Sequence, residues 1–128
     1  MPLEIKMLQT IGGQTAGPVT VQLTGSLDTA TAPELERQLT PVLAGSVKDI
    51  VFDLAQLKFI SSAGLRIFSM TRKTLRERGG QASFVNLQPQ IQVVFEVIKA
   101  LPGVAVFKDV AEMDNYLAIV QRKTQENK

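Results

Sequence analysis

The sequence predicts an α/β domain built on a mixed β-sheet. Three observations carry that expectation. Short runs of β-branched and aromatic residues, such as Asp49-Ile50-Val51-Phe52-Asp53-Leu54, suit buried strands. Between them lie stretches whose apolar residues recur every three or four positions, as a helix requires. The first two runs are separated by a glycine-containing turn, whereas later runs are separated by segments long enough to cross over to a parallel neighbour. The expected order is β-β-α-β-α-β-α-β-α, which gives about five strands and about four helices. Residues 1–128 are expected to form a single domain, with a frayed polar tail from about residue 121 onward.

In order, Leu3 to Thr10 alternates loosely and Val19-Thr20-Val21-Gln22-Leu23 alternates strictly. With the turn Ile11–Pro18 between them, they read as a β-hairpin. A loop of small residues, Thr24 to Pro33, follows, with Asp28 inside it. Thr31 or Ala32 is expected to precede a helix, because Pro33 suits a first helical position. Leu35, Leu39, Val42 and Leu43 form its stripe, and Gly45 stops it. After the strand at Ile50–Leu54 comes Phe59-Ile60-Ser61-Ser62-Ala63-Gly64-Leu65, which reads as a turn into a helix starting near Ser61 or Ser62. Leu65, Phe68 and Leu75 share its inner face, widened by Ile67 and Met70. Arg72, Lys73, Arg76 and Arg78 lie on or beside its solvent side, and Gly79-Gly80 ends it. Ala82–Leu87 is a strand, and Pro89 opens a helix with Ile91, Val94, Phe95, Ile98 and Leu101 inward. Pro102-Gly103 stops that helix before a short strand, Val104–Phe107. Asp109 or Ala111 begins the last helix, with Met113, Tyr116, Leu117 and Val120 inward.

Composition narrows the function. Hydrophobic residues make up 45% of the 128 and charged residues 20%, enough for a packed core. The net charge of +2 argues against a direct nucleic-acid binder. No apolar stretch approaches the length of a membrane span, and the opening residues lack the plan of a signal peptide, so the expected location is cytoplasmic. Cysteine and histidine are both absent. That removes thiolate nucleophiles, disulfides, imidazole ligands and any Ser–His–Asp triad. No phosphate-binding loop or nucleophile elbow is present, and no cofactor is expected.

The residues that could carry function gather in two loops that leave the carboxyl ends of strands, where α/β folds place their sites. If those strands are neighbours, both loops share one edge. A serine at a helix start can cap the helix, help to bind an anion, or carry a phosphate. Ser61 and Ser62 are open to all three. Leu65 stands where a capping box would need Glu or Gln. Ala63 and Gly64 keep the turn low, either for helix–sheet packing or to admit another protein's active site. Asp28 is either a local backbone acceptor or a contact for a partner. Asp53, at the end of a buried strand, reads as structural, pairing with a nearby N–H.

The pattern Leu23-Thr24-Gly25-Ser26-Leu27-Asp28, then Ile50–Leu54, then Phe59–Leu65, resembles the STAS domain, the family of bacterial anti-sigma factor antagonists and of sulphate-transporter tails. The resemblance implies a small mixed-sheet fold and a non-enzymatic switch. It places the phosphoacceptor on Ser62, with Ser61 as second choice because Ser61 stands where many members have aspartate. It implies a partner-binding face of Asp28, Ser61, Ala63, Gly64 and Leu65. The implied partners are an anti-sigma factor serine kinase, which brings its own ATP and magnesium, and a serine phosphatase, with no nucleic acid or membrane. Two alternatives stand beside this. One is an unphosphorylated scaffold in a stress-sensing or lipid-transport complex, and the other is a weak carboxylate enzyme using Asp28 or Asp53.

Overall fold

The computed structural model describes residues 2–12, 15–100 and 109–126. Strand β1 (Leu3–Gly12) pairs antiparallel with β2 (Thr15–Leu27), and β2 runs parallel to β3 (Asp49–Ile60). Strand β4 (Gln81–Val85) adds in parallel on the far side of β3, so the sheet order is β1-β2-β3-β4. The expected strand at Val104–Phe107, like Leu101 and the Pro102-Gly103 stop, lies outside the described residues.

Among the described residues four helices accompany these strands: α1 (Ala32–Ala44), α2 (Ser62–Glu77), α3 (Pro89–Ala100) and α4 (Val110–Glu126). The crossovers β2-α1-β3 and β3-α2-β4 advance the same way across the sheet. Right-handed crossovers then place α1 and α2 side by side on one face, and the two helices do pack together. Alternation in β2 sends Val19, Val21 and Leu23 into the core beneath them. Four phenylalanines join the layers: Phe52 of β3 stacks on Phe84 of β4 at 5.2 Å, and Phe68 of α2 lies 4.9 Å from both. Phe95 of α3 meets Phe84 edge-on at 5.3 Å.

Several elements differ from expectation. The hairpin strands run through much of the expected turn, because pairing resumes past a bulge between Gln9 and Ile11. Strand β2 continues to Leu27 through Gly25, whose φ of +106° suits glycine. A Cβ there would sit 2.1 Å from the Pro2 carbonyl oxygen. Strand β3 runs beyond Leu54 to Ile60, where irregular pairing with β2 turns Leu57 and Ile60 inward. Its partner β4 pairs only as far as Val85, opposite Asp53. Past that point glutamine side chains take β3 carbonyls: Gln88 at Ala55 (2.6 Å), Gln90 at Lys58 (3.3 Å) and Gln121 at Ile60 (2.8 Å).

In α2, Met70 is exposed and the inner row is Gly64, Ile67, Phe68, Thr71 and Leu75. Thr71 fits there because its hydroxyl donates to the Ile67 carbonyl. Arg78 does not join the solvated basic face. Its guanidinium donates to the carbonyls of Leu43, Gly45 and Val47, closing the carboxyl end of α1. In α4, Tyr116 is exposed rather than inward. The expected frayed tail is helical to Glu126, and Gln121 is buried.

Candidate functional site

The site is the carboxyl-terminal edge of β2 and β3. Leu27 and Ile60 are the last paired residues of these parallel neighbours. One further bond, from the Ser61 N–H to the Leu27 carbonyl at 2.9 Å, ties the two loops together. The Asp28 loop and the serine turn therefore share one rim, as parallel pairing requires.

Asp28 organises its own loop. Its Oδ1 accepts from the N–H groups of Ala30 (3.0 Å) and Thr31 (3.1 Å). Its own N–H donates to Thr31 Oγ1 at 2.9 Å, and that hydroxyl donates to the Ser26 carbonyl at 2.8 Å. The carboxylate thus builds the entrance to α1, the local role open to it from the sequence, and it stays half-buried at the rim. One turn on, Glu34 accepts from Arg37 and Gln38, and these hydrogen bonds hold its carboxyl below the usual range. Asp53 accepts from the Ala55 N–H (3.1 Å) and the Asn86 carboxamide (3.2 Å), which makes it a strand-end brace.

The two serines differ. Ser61 has the extended backbone of an N-cap, and its carbonyl accepts the first helical bond, from Leu65. Its side chain makes no cap bond: residue 61 is 4% exposed, and its hydroxyl has no hydrogen-bond partner among the described residues. Ser61, expected as the second-choice phosphoacceptor and as part of the partner face, is thus buried in this structure. Ser62, the first residue of α2, is half-buried at the rim.

Of the other residues expected on that face, Ala63 and Leu65 keep partial exposure. Gly64 does not. It is buried, and a Cβ would lie 2.6 Å from Leu27 Cγ and 3.0 Å from Ile60 Cγ1, so its lack of a side chain lets α2 descend onto the sheet.

Two residues of α4, neither found from the sequence, complete the turn. Asp114 Oδ1 accepts from the Ser62 N–H at 2.8 Å, supplying from another helix the acceptor that Ser61 does not. Gln121, 2% exposed, grips Ile60 by both backbone groups: Ile60 N–H to Oε1 at 3.0 Å and Nε2 to the Ile60 carbonyl at 2.8 Å. Gln121 had a signal, because it continues the i, i+4 row from Met113 and Leu117. Asp114 had none.

Among the described residues no cluster of carboxylates is placed to hold a metal ion, and no helix is long and apolar enough to cross a membrane. The arrangement presents a hydroxyl at a helix start, on the same rim as the hydrogen-bonded Asp28 loop. Residues 9–113 match the STAS domain family, and the chain belongs to it. Among its relatives is the anti-sigma factor antagonist BtrV of Bordetella bronchiseptica, 36% identical over 75 residues. That alignment covers 59% of this chain and 65% of the relative. A solved anti-sigma factor antagonist from Mycobacterium paratuberculosis is 26% identical, with a TM-score of 0.62 over 92% of this chain and 95% of that one. The Bacillus cell fate determinant SpoIIAA, solved in its phosphorylated form, shares the fold at 20% identity, with a TM-score of 0.57 over 72% of this chain and 82% of that one.

Proposed function

We propose that this chain is an anti-sigma factor antagonist, switched by phosphorylation of Ser62. The observation that carries the proposal is the placement of Ser62: half-buried, first in α2, on the same rim as the Asp28 loop. The names of its relatives support the class of function. In the proposed step the Ser62 hydroxyl oxygen attacks the γ-phosphorus of ATP held by a partner kinase. The Oγ–P bond forms, the bond to the β-phosphate bridging oxygen breaks, ADP leaves, and the hydroxyl proton passes to a base of the kinase. The dianionic product adds about −1.5 to −2 charges at neutral pH. The first-turn amides of α2 and the positive end of its dipole tolerate that charge. A protein packed on the rim does not, because it would have to desolvate it.

The unmodified form then binds the anti-sigma factor and frees sigma; the phosphorylated form releases the anti-sigma factor, and a phosphatase resets it. The chain itself acts as a binding module in the cytoplasm. Asp28, Ala63 and Leu65 supply the contact surface around Ser62, while Ser61 and Gly64 support it from below.

The test is intact-mass measurement after incubation with ATP and extract of the source organism, followed by binding assays with the anti-sigma factor. The expected result is one added phosphate that Ser62→Ala abolishes, constitutive binding by Ser62→Ala, and weakened binding by a folded Ser62→Asp. If neither substitution alters binding, the switch is wrong; if no phosphate is added, the scaffold alternative replaces it.

A further inference from the structure

We propose that Asp114 makes helix α4 a sensor of the charge on Ser62, so that phosphorylation loosens the first half of α4 while Gln121 holds the second. This rests on the proposed modification of Ser62 and names its intramolecular consequence. The Asp114 carboxylate is bound to the Ser62 N–H at 2.8 Å. Only Cα and Cβ separate that nitrogen from the oxygen that would carry the phosphate. Bond lengths therefore keep the phosphate's bridging oxygen within about 7 Å of the carboxylate, inside the Debye length of about 8 Å at physiological salt. Two anions so placed repel, and the phosphate also competes for the amide that tethers Asp114.

The rest of α4 favours the same outcome. Its residues from Val110 to Gln121 include the acids Glu112 and Asp114 and no Lys or Arg; the first base is Arg122. Asp109, which caps this helix by accepting from the Glu112 N–H, adds another acid at its start. The nearest cation by helical spacing is the exposed Arg66, on α2 itself. Pairing of the phosphate with Arg66 would leave Asp114 unrelieved.

Seven residues beyond Asp114, or about 10 Å along the helix, the Gln121 carboxamide keeps its two bonds to Ile60. Those bonds are uncharged and buried, so phosphate at Ser62 does not act on them directly. The helix therefore has one charge-sensitive tether and one insensitive one, and the second acts as the pivot.

The experiment uses the full chain with phosphoserine installed at position 62 during synthesis, so no kinase is needed. Amide hydrogen exchange is compared with and without phosphoserine, in the natural chain and in Asp114→Asn, which keeps an oxygen for the Ser62 N–H but loses the charge. The expected result is a phosphate-dependent rise in exchange of about fivefold or more over 110–117, the low end of coupling between sites. Residues 121–126 should change less, and the phosphate-dependent rise should vanish in Asp114→Asn. An unchanged α4 overturns the proposal, and so does a rise of equal size in Asp114→Asn. Whether a kinase modifies Ser62 is read separately by intact mass, so failure of the coupling and failure of the switch remain distinct.

Discussion

The two loops at the rim are built in opposite ways. The Asp28 loop closes on itself: its side-chain hydrogen bonds join Ser26, Asp28, Ala30 and Thr31, all within five residues. The serine turn is held from a distance, by Asp114 and Gln121, 52 and 61 residues further along the chain. A locally closed loop keeps its shape whatever docks on it. A turn held by a remote helix is coupled to that helix, and a change at one is felt at the other. The rim thus pairs a loop held by its own residues with a turn held by α4.

The contrast can be broken at defined points. The largest effect is expected at Gly64→Val, where the branched side chain must enter space held by Leu27 and Ile60. Overpacking of this kind costs about 3 kcal/mol, and urea unfolding should show the midpoint drop accordingly. Next is Gln121→Ala, which leaves a buried N–H and carbonyl of Ile60 without their side-chain partners. A loss of about 2 kcal/mol is expected, with exchange protection falling at the serine turn as well as in α4. Asp28→Ala should cost about 1 kcal/mol, the usual net value of the loop hydrogen bonds lost. Its exchange changes should stay within residues 26–34, and spread into 60–65 would contradict the local character of that loop. The smallest effect is expected at Ser61→Ala. Its hydroxyl is buried with no partner among the described residues, so its removal should change stability by less than about 0.5 kcal/mol or raise it. A loss above about 1 kcal/mol would mean that this hydroxyl does cap the helix.

The legibility of these features follows the same division. Asp28 acting on its own loop could be foreseen, since Asp in a run of small residues bonds to backbone within two or three positions. The start of α1 was legible to within a residue: Thr31 or Ala32 was expected to precede it, and Thr31 is the N-cap, with Pro33 second in the helix rather than first. The helix start at Ser62 was legible from the change of period after Ile60. The ends of β2 and β3 were read short, because bulges and remote glutamines extend β3 in ways that alternation does not register, whereas β4 was read past its end at Val85. Met70 and Tyr116 were assigned inward by type, yet Thr71 and Gln121 occupy the buried positions. Polar residues can do so when a carbonyl lies within reach, and only the packed structure says whether one does.

From its residues alone, this chain settles the alternation of strands and helices, the mixed sheet, the two loops and the serine at the helix start. Those properties depend on periodicity and on contacts between near neighbours, both written in the order of residues. Packing gave the two serines their different exposure, burying Ser61 and leaving Ser62 at the rim, and brought Asp114 to the Ser62 amide. Exposure and long-range pairing depend on how helices settle onto the sheet, and neither Asp114 nor Ser62 carries any local mark of the other.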